Sequence, residues 1–294
     1  MNDFDDTSAN FESFAKRKDR RKPKGKRSVG ELYSGNETRD KFDDPSLQTL
    51  FERGFITDIL GEVKSGKEAT VYVASTPLTD TGLAATKVYS DMAVRSFKDD
   101  KIYRQGRFVG DARVKKAIEQ RSKSGVEAQQ ALWIFHEYSE LWALYEAGLN
   151  VPKPLVGPGA DDMAQAGRVV LMDYIGDEDG SAPRLSDVRL EPDEAEVAWQ
   201  QSLDLMVKLL KLNRVHGDFS TYNLLWWQRE VVLIDLPQTV DIDQNPSAAQ
   251  LLEQDVNSLC KSFKRHGIQE EPLLVMMDVR KRAGLIPTGP FLKR

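Results

Sequence analysis

An α+β fold of two lobes, the first an antiparallel sheet with a helix and the second mostly helical, is predicted by three patterns in the 294-residue sequence. β-Branched and aromatic runs at 69–73 and 83–89 precede a helix-period stripe over 131–147. A second long helical pattern opens at Pro192. The polar loop 216–223 then leads into a hairpin pattern whose last apolar run, Val231 to Ile234, is closed by Asp235.

The elements follow in order. Residues 1–44 carry the basic run Lys16 to Arg27 without periodic apolar residues, so a disordered tail is expected there. A short helix is expected from Ser46 to Arg53, followed by a β-rich lobe over 45–171 and a helical lobe over 172–294. The helix from Ala131 to Ala147 ends at Gly148, with Pro152 and Pro154 beyond it. Trp133, Glu137, Leu141 and Leu144 share one face of that helix. Pro192 with Asp193, Glu194 and Glu196 opens a helix to Leu212, whose Ala195, Ala198, Leu205, Met206, Leu209 and Leu212 are expected to form a core stripe. Leu224 to Trp227 and Val231 to Ile234 read as a hairpin, with Trp226 and Trp227 on opposite faces. Cys260 is expected to pack inside a late helix.

Composition bounds the answer without choosing it. With 40% hydrophobic residues the chain can bury one bilobal core beyond its tail. A lone cysteine excludes an internal disulfide, no stretch approaches eighteen apolar residues, and the acidic start is not a secretory signal. The expectation is a cytoplasmic protein with no membrane segment. The net charge of −5 hides a basic run in an otherwise acidic chain, and such arms contact phosphate backbones without reading base sequence. RNA or a ribosomal particle is therefore the expected partner of 16–27, a solubilising tail being the alternative.

The chemistry centres on His216-Gly217-Asp218-Phe219-Ser220-Thr221-Tyr222-Asn223 and on Asp235. An aspartate five residues before an asparagine, then a strand ending in a second aspartate, is the spacing with which protein-kinase-like folds hold a catalytic carboxylate and metal ligands. Asp218 would meet the acceptor hydroxyl, and Asn223 and Asp235 would supply oxygens to Mg²⁺. A polar turn capped by Asp218 is the alternative for the loop alone. Such a site also needs a strand lysine for the α and β phosphates of ATP, and Lys87 lies in an apolar run. Glu137 on the inward stripe is its expected partner, ahead of Glu140. Gly61 to Lys67 nearly match a phosphate-binding P-loop, but Glu68 stands where Ser or Thr is required. The following Ala69-Thr70-Val71-Tyr72-Val73 predicts a strand, not a phosphate-capping helix. Ser65, Gly66 and Lys67 are then expected to cover the nucleotide, a plain hairpin turn being the alternative.

Ser65-Gly66-Lys67-Glu68-Ala69-Thr70-Val71-Tyr72, the insert from Phe97 to Trp133, Met172-Asp173-Tyr174-Ile175-Gly176, the 216–223 loop and Ile234-Asp235-Leu236-Pro237-Gln238 together resemble the RIO family of atypical serine/threonine protein kinases. The resemblance covers roughly residues 55 to 265 in the family's order. It implies a protein-kinase-like fold of RIO type that binds ATP and Mg²⁺, with Met172, Tyr174 and Ile175 in an adenine-holding hinge and Asp255 supporting the catalytic loop. It also implies that Asp235 can itself accept phosphate, as in family members that act as conformational ATPases. The acceptor is expected to be a partner protein or the chain itself. Gly217 and Pro237 depart from the residues usual in eukaryotic and archaeal members, which suggests a bacterial branch. The His-Gly-Asp triplet is also similar to that of aminoglycoside and choline phosphotransferases, so a small-molecule kinase is one alternative. A nucleotide-gated RNA-binding assembly factor with little turnover is another.

Overall fold

The computed structural model describes residues 32–33, 41–66, 68–90, 101–105 and 111–285. The basic run 16–27, Lys67 and much of the 97–110 stretch lie outside them. The chain forms two compact units. The first is built from described residues within Met1–Ser96, Val109–Trp142 and Pro152–Ala182, and the second from those within Phe97–Phe108, Ala143–Val151 and Pro183–Arg294.

In the first unit, α1 (Pro45–Glu52) starts where Asp44 accepts the amides of Ser46 and Leu47, with proline at the first helical position. The second oxygen of the buried Asp44 carboxylate takes Arg168, 2.8 Å from its Nε, so this cap is also an ion pair. Packing begins before residue 44. Tyr33 and Phe42 form an antiparallel bridge with rings 4.5 Å apart, and the Tyr33 hydroxyl accepts the Ile59 amide at 2.9 Å. These three aromatic or aliphatic partners lie too far apart in sequence to show a period, so the stretch reads as tail.

Four antiparallel strands form the sheet in the order β1 (Asp58–Ser65), β2 (Ala69–Ser75), β3 (Leu83–Tyr89) and β4 (Val169–Asp173). In the central strand β3, Lys87 stands between Val71 of β2 and Val170 of β4. Val73, Leu83 and Tyr174 are packed together with Leu60, Val63 and Ala85 against them. β5 (Gly176–Asp177) and β6 (Gly180–Ser181) form a small hairpin beyond β4.

α2 (Lys101–Arg104) belongs to the second unit, whereas α3 (Ala112–Glu119) belongs to the first. α4 (Lys123–Glu146) buries Trp133, Glu137, Leu141 and Leu144 as its periodicity predicts. It starts eight residues earlier than the expected Ala131, continuing through Gly125. Glycine normally weakens a helix interior, but here an added Cβ would collide with the backbone of Ala117 in α3, so close packing requires it. α5 (Ala160–Gln165) follows.

In the second unit, α6 (Pro192–Lys211) buries Ala195, Ala198, Leu205, Met206 and Leu209, and the Glu194 side chain accepts the Glu191 amide at 3.1 Å. Leu212 does not join the stripe as expected: it is the C-cap, where the chain leaves the helix, and is exposed. β7 (Arg214–Val215) pairs with β10 (Val240–Asp241), and these strands bracket β8 (Leu224–Trp227) and β9 (Glu230–Leu233). Gln228 and Arg229, both at positive φ, make the two-residue turn that such a hairpin favours. Trp226 is buried and Trp227 half-buried, as alternation along a strand requires. α7 (Ala248–Phe263) encloses Cys260, and α8 (Pro272–Arg282) follows. Among the described residues no helix is long and apolar enough to cross a membrane.

Candidate active site

The first unit contributes an ion pair. Lys87 Nζ lies 2.5 Å from Glu137 Oε1, and the Tyr89 hydroxyl donates to Glu137 Oε2. Glu137 is only 3% exposed, so its charge depends on both donors. Lys87 Nζ also sits 5.1 Å from the centre of the Tyr89 ring. Tyr89 is the residue that sequence reasoning passed over. It lies two positions after Lys87 on β3, hence on the same strand face, and that period was the available signal.

The glycine-bearing segment is a strand–loop–strand. Ser65 pairs with Thr70 across β1 and β2, their hydroxyls 3.0 Å apart, and the Gly66 amide donates to the Ala69 carbonyl at 2.8 Å. A β-strand follows where a P-loop would start a helix. The near match to that motif is thus a coincidence of composition, and Lys67 lies outside the described residues.

Met172 to Ile175 run from β4 into the following turn. The Asp173 amide donates to the Lys153 carbonyl at 2.8 Å, and the Ile175 carbonyl accepts from the Ala182 amide at 2.8 Å. Tyr174 is buried, which pushes its hydroxyl pKa up to about 12 against a side-chain bond from Ser181. The backbone of this segment is therefore held from both sides.

The second unit carries a pair of carboxylates, Asp218 and Asp235. Asn223 Nδ2 donates to the backbone oxygen of Asp218 at 2.9 Å and to its carboxylate Oδ2 at 3.0 Å. The five-residue spacing thus closes on itself, fixing the carboxylate and leaving the amide oxygen of Asn223 as that side chain's donor atom. Asp218 is exposed, yet loss of water around its carboxylate raises its pKa. The Asn223 bond opposes that rise, the Asp235 charge adds to it and Arg184 subtracts. Asp235 is exposed in the left-handed region at φ 68°. The residue before it is tied back, because the Ile234 amide donates to the Asn223 carbonyl at 3.0 Å. An amide oxygen and a carboxylate, both hard, suit Mg²⁺, which takes few protein ligands and completes its shell with phosphate and water.

Behind the loop lies Asp255 on α7, whose two oxygens accept the amides of Gly217 and Phe219, each at 2.8 Å. Burial drives its pKa up to about 7 against those two bonds. His216 is also buried. Its Nδ1 accepts the Asp218 amide at 3.2 Å, which leaves the proton on Nε2, 3.3 Å from the Ile234 carbonyl. Burial lowers its pKa to about 4, so the ring is a neutral spacer tying the loop to the end of the 231–234 run.

A family model described as RIO domain matches residues 70–275, more than half of the chain. The chain belongs to the RIO family. This RIO chain is 34% identical over 151 residues to the RIO-type serine/threonine-protein kinase Rio1 of Thermoplasma acidophilum, covering 51% of the chain and 74% of that protein. It is 31% identical over 229 residues to Rio1 of Haloferax volcanii, covering 77% and 71%. With the serine/threonine-protein kinase RIO1 of Caenorhabditis elegans it shares 32% over 223 residues, 76% of the chain but 40% of that protein. The RIO chain thus spans less than half the length of this eukaryotic relative. RIO membership carries the α+β kinase-like fold and the ATP-dependent phosphotransferase class of these kinases, and it sets the aminoglycoside and choline phosphotransferase alternative aside. The expected bacterial branch is not borne out, since these relatives are archaeal and eukaryotic. Gly217 is at φ 84°, a local backbone demand that carries no lineage information.

Proposed function

We propose that this RIO chain transfers the γ-phosphoryl group of ATP to a serine or threonine hydroxyl, or to its own Asp235 as a conformational ATPase. The observation that carries the reading is the closed Asp218–Asn223 pair, because it holds a carboxylate in one orientation at an exposed surface. Asp218 orients the acceptor hydroxyl and takes its proton. Asn223 and Asp235 would hold Mg²⁺, which would supply charge neutralisation at the phosphate oxygens. Lys87, held by Glu137, places the α and β phosphates, while Ser65, Gly66 and Lys67 cover them. Met172, Tyr174 and Ile175 hold adenine. Asp255 and His216 keep the loop rigid without touching substrate.

The acceptor is a partner protein or the chain itself, and the basic run 16–27 adds contact with RNA or a ribosomal particle. The lone buried cysteine suits a reducing, cytoplasmic setting. The first test is the fate of γ-labelled phosphate after incubation with ATP and Mg²⁺, followed by hydroxylamine. Label that hydroxylamine releases marks an acyl phosphate on Asp235 and the ATPase form. Stable label marks a serine or threonine kinase. Neither label nor phosphate release, with protein substrates of broad composition added, would overturn the proposal. Deleting residues 1–30 should abolish RNA binding and leave ATP affinity unchanged.

A further inference from the structure

Residues 101–105, α2 and the residue after it, make one contact with the catalytic loop and two with the segment that precedes α7. The Tyr103 hydroxyl donates to the Gly217 carbonyl at 3.4 Å, Asn245 Nδ2 donates to the Ile102 carbonyl at 2.9 Å, and the Ser247 hydroxyl donates to Gln105 Oε1 at 2.9 Å. All of these residues lie in the second unit. The Tyr103 ring occupies the space in front of Gly217. A Cβ added there would lie 3.0 Å from Tyr103 Cε1 and 2.9 Å from the Gln238 carbonyl. Gly217 is thus required twice, for its φ of 84° and for the approach of an aromatic ring. At the other backbone group of the same residue, in the preceding peptide, Asp255 accepts the Gly217 amide.

We propose that Tyr103 is a positioning residue: its ring and hydroxyl brace Gly217 from the front while Asp255 braces it from behind, and the clamped residue sets the direction of Asp218. The contact is a brace and not a plug, because Asp218 and Asp235 both remain exposed with α2 in place. Asn245, buried, holds α2 and Ser247 holds the following Gln105, so the brace depends on residues just before α7 as well as on Tyr103. Through Tyr103, α2 therefore serves turnover. This inference rests on the reading of Asp218 as the residue that meets the acceptor.

The test compares full-length wild type, Tyr103→Ala, Tyr103→Phe and Asn245→Ala. Misplacing a catalytic group by about 1 Å can reduce rate about 100-fold, so kcat should fall at least about tenfold in Tyr103→Ala and in Asn245→Ala. KM for ATP should stay within about twofold, since the brace acts on orientation rather than ground-state binding. Tyr103→Phe, which keeps the ring and loses one long hydrogen bond, should recover at least about half of kcat. A rise in kcat would make α2 a plug and overturn the brace, as would an unchanged kcat or a loss confined to KM. Hydrogen–deuterium exchange of the 216–223 amides provides a readout that needs no turnover. Faster exchange in Tyr103→Ala and Asn245→Ala than in wild type is expected, and equal exchange would overturn the brace whether or not the protein proves to be a phosphotransferase.

Discussion

Replacing Lys87 by methionine keeps the aliphatic stem and removes the ammonium, which separates charge from packing at the most enclosed ion pair described here. Glu137 would then be left 3% exposed without its ammonium partner, the Tyr89 hydroxyl still donating to it. Breaking a buried pair from one side costs about 3–5 kcal/mol, and the retained Tyr89 bond places the expected loss near about 3 kcal/mol. For a folded region of this size that corresponds to a fall in Tm of roughly 6–12 °C. Turnover should drop at least about 100-fold if Lys87 places the phosphates as proposed, because that preorganised charge is gone. The decisive comparison is Lys87→Met/Glu137→Gln, in which no charge is stranded and Tyr89 keeps an acceptor. That double variant should return to within about 1 kcal/mol of wild type in urea denaturation while remaining inactive. A single Lys87→Met variant that melts like wild type would refute the claim that this pair is closed and desolvated.

At Asp235, substitution by asparagine should abolish turnover and leave the melting curve unchanged, since the residue is exposed and asparagine tolerates positive φ; circular dichroism melts beside a phosphate-release assay check both. Asp255→Ala strands two backbone amides and should cost about 2–5 kcal/mol, whereas Asp255→Asn keeps one acceptor and should cost about 1–3 kcal/mol, read from urea midpoints. With its pKa raised from 3.8 to about 7, folded Asp255 retains a proton that the unfolded chain releases between about pH 4 and 7. Wild-type stability relative to Asp255→Asn should therefore fall as pH rises through that window and level off above it, and a pH-independent difference would contradict the assigned burial. Tyr89→Phe removes one donor from Glu137 and should cost about 1–2 kcal/mol with a severalfold loss of turnover, measured by the same two assays.

Local periodicity and spacing made much of this molecule legible in its sequence. The stripe Trp133, Glu137, Leu141, Leu144 is buried because 3.6-residue periodicity places side chains on one face whatever they later touch. The strand after Gly66 follows from its β-branched residues, and the Asp218–Asn223 contact spans only five residues, within reach of one loop. The glutamate helix was legible only over its last two thirds, from Ala131 on, because glycine weakens a helix interior and Gly125 has its reason only once α3 is packed against it.

Sequence alone thus determined the α+β class, the helix faces, the place of Lys87 on a strand, the inward position of Glu137, and the spacing of Asp218, Asn223 and Asp235. Only the tertiary structure decided that Tyr89 shares Glu137 with Lys87 across 48 residues, that Tyr33 and Phe42 join the first unit's packing, and that Tyr103 reaches Gly217 across 114 residues. Such contacts leave no period in the chain: each depends on which surfaces are apposed after collapse, and residues so far apart share no local geometry until the intervening chain has folded.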